Sequence, residues 1–237
     1  MPFVFQAARP ALITKNKEVI GAGRRGPALN FMYKVSEVKD KDVVLKIYVD
    51  EDSESPRNWD NLGTMVCWHR RYNLGDRHDY RDPDDFWFYL AEEISGSTYR
   101  TEQMTPRQRE EYVRKNAIIL PLYLYDHSGL TMRTYPFSCP WDSGQVGWIY
   151  VTKAKVREEY GVKRVTKKVR DRVIAVLEAE VETYNQWLGG DVYGFVLEDT
   201  QGNHIDSCWG FYGTDWMENG MADHILEEYR YLLEKVA

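Results

Sequence analysis

IILPLYLYDHSGLTMRTYPFSCPWDSGQVGWIYV, residues Ile118–Val151, sets two long apolar runs around a loop crowded with reactive side chains. Ile118–Tyr125 carries no polar break, the pattern of a strand covered on both faces. Gln145–Thr152 returns as a second strand, and His127-Ser128-Gly129 is turn chemistry. Between them runs Tyr135-Pro136-Phe137-Ser138-Cys139-Pro140-Trp141, too long and too rich in proline for a two-residue hairpin turn. Proline fixes φ and withholds a donor from a sheet ladder, so this segment is expected to be an ordered excursion. Asp142 closes it and is expected to face back toward Asp126 and His127.

Outward from this centre the same grammar repeats. VVLKIYV (Val43–Val49) and LGTMVCWH (Leu62–His69) read as strands joined by the acidic loop Asp50–Asn61. DVYGFVLED (Asp191–Asp199) and HIDSCWGFYG (His204–Gly213) read as a hairpin around Thr200–Asn203. Helices are expected from Pro83 to Ile94, capped by Asp82, and from Pro106 onward, capped by Thr105. The longest helix spans Thr166 to about Leu188, with Val169, Val173, Leu177, Val181 and Tyr184 at helical spacing and Gly189-Gly190 as its stop. A last helix is expected from Thr214, with Met221, Ile225, Tyr229, Leu232 and Val236 on one face. The reading is an α+β fold: a largely antiparallel sheet built from three hairpins, with helices packed on it. Residues 1–32 are read as a flexible arm and residues 33–237 as a single domain. The arm contains GAGRRGP (Gly21–Pro27), formally GxGxxG, but no strand precedes it and Pro27 follows at once, so it reads as a basic loop.

Composition narrows the class. Of 237 residues 43% are apolar and 14% aromatic, a globular balance with no run of membrane-span length and no signal-peptide core near Met1. A cytoplasmic location without a membrane partner follows as the expectation. Cys67, Cys139 and Cys208 are odd in number and far apart, which suits reduced thiols, and no paired Cys/His spacing suggests zinc. The sequence names no cofactor. Net charge is −6, yet Thr152–Arg172 holds nine basic residues against three acidic ones, a local +6 that leaves −12 elsewhere. Lys163, Arg164, Lys167 and Lys168 are the candidate polyanion contacts there, so nucleic acid enters as a partner through 152–172; a solvated helix face is the plainer reading.

Three chemistries compete for the central stretch. Asp126, His127, Asp142 and Cys139 form a candidate catalytic set; Asp126-His127 beside Ser128 would also suit an acid–base pair and a nucleophile, but neighbours on a strand point to opposite faces, so those three cannot all converge locally. Cys67 and His69, two apart, would share a strand face; buried cysteines more often serve as small hydrophobes. Carboxylates at strand ends (Asp50, Asp60, Asp126, Asp142, Asp199, Asp206) would suit a divalent metal, but acids after strands are also ordinary turn formers. The third chemistry is recognition, with Trp59 and Trp141 as binding residues in loop segments.

WDNLGTMVCWHRRYNLGD (Trp59–Asp76), LYLYDHSGLTM (Leu122–Met132) and CPWDSGQVGWIYV (Cys139–Val151) resemble a family of proteins carried by bacteriophages and other mobile elements. The resemblance runs from about Val43 onward and implies context rather than chemistry: an accessory protein of an infected or plasmid-bearing cell that acts against host defences. The leading expectation is therefore a binding protein that engages a host or viral macromolecule, most readily a protein, through aromatic-rich loops. The alternative is a metal-dependent hydrolase or nuclease-like enzyme using Asp126, His127 and Asp142.

Overall fold

The computed structural model describes residues Tyr33–Val236, so the arm expected over 1–32 lies outside the described residues. In chain order the strands are β1 (Lys34–Asp40), β2 (Val43–Val49), β3 (Thr64–Cys67), β4 (Ala117–Asp126), β5 (Leu130–Arg133), β6 (Ser143–Thr152), β7 (Val192–Asp199) and β8 (His204–Tyr212). The helices are α1 (Pro83–Ser95), α2 (Thr98–Glu102), α3 (Pro106–Asn116), α4 (Lys153–Glu159), α5 (Lys167–Gly189), α6 (Met221–His224) and α7 (Tyr231–Glu234). The fold is α+β, with antiparallel pairing throughout, but the strands form two four-stranded sheets, β1-β2-β7-β8 and β3-β6-β4-β5. Where the sequence reading expects one domain, the chain divides into two compact units: one of residues up to Trp59 with Gln186 onward, the other Asp60–Asn185.

In the first unit β2 does not pair with Leu62–His69, correcting the first of the three expected hairpins. Its edges are taken by β1 and β7, while β3 pairs with β6 in the other sheet. The true partner, KVSEVKD, is an exposed edge strand with little apolar content, which hides it from a hydrophobic pattern. A two-residue turn at Lys41-Asp42 joins them, with Lys41 at φ +52 as such hairpin turns require. β7 sits between β2 and β8 and is buried along nearly its whole length. Leu45, Ile47, Phe195, Leu197 and Phe211 of this sheet pack against Met221, Ile225, Leu232 and Leu233. Those last residues do not lie on one continuous helix as expected. Gly220 at φ +93 and the non-helical backbone at Ile225 and Leu226 break the segment into α6, a 3-10 turn at Glu227–Tyr229, and α7. The apolar positions are nonetheless buried, because what folding selects is the face and not the helix.

Asp50 follows β2. Burial pushes its carboxyl above the usual carboxylate value of 3.8, against main-chain donors at Asp52 and Gly210 that pull it down. A raised folded pKa means the folded chain holds this proton more tightly than the unfolded one. Its stability contribution is thus present below the unfolded pKa and is lost as pH rises through the folded one. Asp50→Asn is therefore expected to raise the urea midpoint at neutral pH relative to the parent chain and to lose that advantage in acid. Parallel curves at all pH values would contradict this.

The second unit is layered. α1 begins where Asp82 accepts the Asp85 N–H at 2.9 Å and ends at left-handed Gly96; α3 begins with a full capping box between Thr105 and Gln108. Phe86, Trp87 and Leu90 of α1 and Val113 of α3 bury against Val66 and Tyr150 on one sheet face. Side chains alternate along β6, so Ile149 faces the other way and meets Leu177 of α5 in the space left open at Gly63. Polar bonds from three of its side chains fix α5 there. Glu180 accepts the Leu62 N–H at 2.8 Å, the Tyr184 hydroxyl accepts the Gly75 N–H at 2.9 Å, and Asn185 accepts the Met132 N–H at 2.8 Å. β4 thus lies inside a sheet covered on both sides, as its unbroken apolar run foretells.

Candidate functional site

The central stretch is a three-strand arrangement and not a simple hairpin. β5 follows β4 through the turn His127-Ser128-Gly129, pairing Asp126 with Leu130, and Ser128 takes a left-handed φ of +59. β6 pairs with the opposite edge of β4. The segment from Thr134 to Asp142 therefore has to cross from one edge of β4 to the other, and it does so over Tyr125, whose ring lies 5.5 Å from that of Phe137.

Both ends of this crossing are pinned. Arg133 donates from Nε to the Tyr135 carbonyl at 3.0 Å and from Nη2 to the Pro136 carbonyl at 2.6 Å, with its guanidinium 3.7 Å above the Phe137 ring. At the far end the Ser143 hydroxyl donates to the Cys139 carbonyl, and the Asp126 N–H donates to the Asp142 carbonyl at 2.8 Å. The excursion expected from its prolines is ordered by these bonds.

Asp142 does face back. Its Oδ2 lies 3.6 Å from His127 Nδ1 and accepts from the Cys139 thiol at 3.6 Å. Asp126 turns the other way, as strand alternation requires, pairing with Arg71 and lying 4.0 Å from His69 Nε2. His69 in turn stacks on Tyr72, ring centres 5.1 Å apart. The four candidate catalytic residues thus gather at one end of β4, but as two separate groups turned to opposite sides of the strand. Arg71 and Tyr72 join the Asp126 group and Arg133 the crossing loop; the sequence reading does not single them out, although HRRY directly after β3 is the local signal for the first two. Cys67 is buried at the end of β3, and His69 lies just beyond the strand.

The order across the first group decides its chemistry. A thiol nucleophile needs an imidazole against its sulfur, with a carboxylate behind the ring. Here the carboxylate stands between Cys139 and His127, the reverse of that relay. Asp126 is engaged by Arg71. Among the described residues no three His, Cys, Asp or Glu side chains are grouped to hold a metal ion. His127 and Asp142 are 61% and 39% exposed, so the patch is a surface rather than a cleft.

The aromatic side chains around it stand out into solvent. Trp141 is 92% exposed and Tyr135 59%, at the crest of a pinned loop. Trp59, the other candidate binding tryptophan, lies in the first unit, half-buried with its ring edge against Tyr212 at 5.2 Å. Lys163, Arg164, Lys167 and Lys168 are all exposed, around the start of α5. No helix of the described residues is long and apolar enough to cross a membrane. Compared with models of known protein families and with curated proteins, the chain matches none.

Proposed function

We propose that the second unit is a recognition module whose crossing loop, Thr134–Asp142, docks onto a protein partner with Trp141 as its anchor. The observation that carries this reading is the exposure of Trp141 on a loop whose backbone is already fixed. A tryptophan side chain has roughly 200 Å² to bury, worth about 5 kcal/mol at about 25 cal/mol per Å² before ordering costs. Those costs are small for a loop held in place before binding. Half-exposed ion pairs such as Arg71–Asp126 are worth at most about 1 kcal/mol, so the aromatic term dominates.

The chemistry around the anchor suits protein more than nucleic acid. Arg133 at one end of the loop and Asp142 at the other bring charge of both signs to a segment of Trp, Tyr and Phe, and Arg, Trp, Tyr and Phe are residue types enriched at protein interfaces. A photo-reactive benzophenone amino acid placed at exposed Ser138, beside the anchor in the full chain, tests the reading in cells that make the protein. The expected outcome is one dominant crosslinked protein, absent when the same group replaces exposed Lys39 on β1. Indiscriminate crosslinking, equal at both positions, would sink it.

A further inference from the structure

The basic segment has its own geometry, at the opposite end of β4 from the loop patch. Arg114 near the end of α3, Lys153 at the start of α4 and Arg170 in α5 line one open depression of about 370 Å³, floored by Ala117, Ile118 and Ile119. Three elements thus bring their cations to one place. β5 pairs with β4 only from Tyr123 onward, so the floor stretch has no strand neighbour on that side among the described residues.

The charges there are only partly answered. Glu110 pairs with Arg114 through Nε at 2.8 Å and holds its guanidinium beside Trp87, 5.1 Å from the ring centre. Lys153 donates to the Lys115 carbonyl at 2.7 Å, a neutral acceptor that leaves its charge in place. Arg170 makes no ion pair among the described residues. α5 has no acid in its first turn, where Lys167 and Lys168 stand. A helix N-terminus favours anions and is destabilised by cations, so this end of α5 lacks the counter-charge that it would ordinarily carry.

We propose that this depression, continued by the exposed cations Lys163, Arg164, Lys167 and Lys168, binds the phosphate backbone of a nucleic-acid strand. A compact phosphate would use the depression alone; the cations beyond it have work only on an extended polyanion. Binding through phosphates is independent of base sequence and weakens as salt competes.

Fluorescence anisotropy of the full chain with a labelled oligothymidylate strand of about 20 nucleotides, at about 50 mM and about 200 mM salt, is the test. Arg170→Glu and, separately, Lys153→Gln are expected to weaken binding at low salt by about tenfold and about threefold and to flatten the salt dependence. Lys39→Glu, which makes the same charge change as Arg170→Glu on exposed β1, is expected to leave affinity within about twofold. Equal losses from Lys39→Glu and Arg170→Glu would reduce the effect to net charge and overturn the site. So would absence of binding at the lower salt. Displacement of the strand by tripolyphosphate at matched phosphate concentration would assign the depression to compact phosphates and overturn the strand. Melting curves of the variants that match the parent chain keep the comparison free of unfolding.

Discussion

Gly147→Ala is expected to cost the second unit at least about 3 kcal/mol, enough to unfold it or nearly so. Gly147 sits on β6 opposite Cys67, where β3 and β6 pair. A β-carbon there would lie 1.9 Å from the Val66 carbonyl oxygen and 2.9 Å from Cys67 Cα, both backbone atoms. A flexible side-chain tip could swing aside, but a paired strand cannot move without breaking its ladder. Gly144 on the same strand supplies the control, since a β-carbon there meets nothing within 4 Å. Gly144→Ala is expected to change stability by no more than about 0.5 kcal/mol. Urea unfolding followed by tryptophan fluorescence separates the two; equal midpoints would show that β3 does not lie where the sheet places it. The Arg71–Asp126 contact depends on this pairing, because the chain leaving β3 carries His69, Arg71 and Tyr72 to Asp126.

That dependence explains what the sequence made legible and what it hid. β6, β7 and β8 announce themselves by runs rich in β-branched and aromatic residues, and α5 by an apolar spacing held over many turns. The capping residues Asp82 and Thr105 mark their helices correctly because a cap is a local bond, made within three residues. The prolines of the crossing loop likewise foretell an ordered excursion, and Asp142 returns to the end of β4 because β6 must start there. Partner choice in the sheets is not local. Val43–Val49 and Leu62–His69 are both genuine strands, but the polar edge strand Lys34–Asp40 claims the first and β6 the second. Arg71 is 55 residues from Asp126 in sequence, and only the order β3-β6-β4 brings them together. The long C-terminal helix fails for a different reason: Gly220 and the backbone at Leu226 break it, while its apolar face survives in pieces.

Trp141→Ala is the second large effect, and it falls on binding with folding spared. The side chain is almost wholly in solvent, so its removal takes little from the folded state; stability is expected to hold within about 0.5 kcal/mol. As the anchor of an interface it is expected to carry at least about 2 kcal/mol, roughly thirtyfold in affinity. Cys139→Ser, by contrast, exchanges one small donor to Asp142 for another and leaves the aromatic crest untouched. A nucleophile at that position would not survive the exchange so well.

The most direct test of recognition against catalysis is therefore a paired titration. The dissociation constant of the partner identified by crosslinking at position 138 is measured for the parent chain, Trp141→Ala and Cys139→Ser. The account predicts a loss of about thirtyfold or more for Trp141→Ala and a change within about threefold for Cys139→Ser. Unchanged affinity in Trp141→Ala, with binding or biological effect abolished by Cys139→Ser, would contradict it and place the chemistry at the thiol.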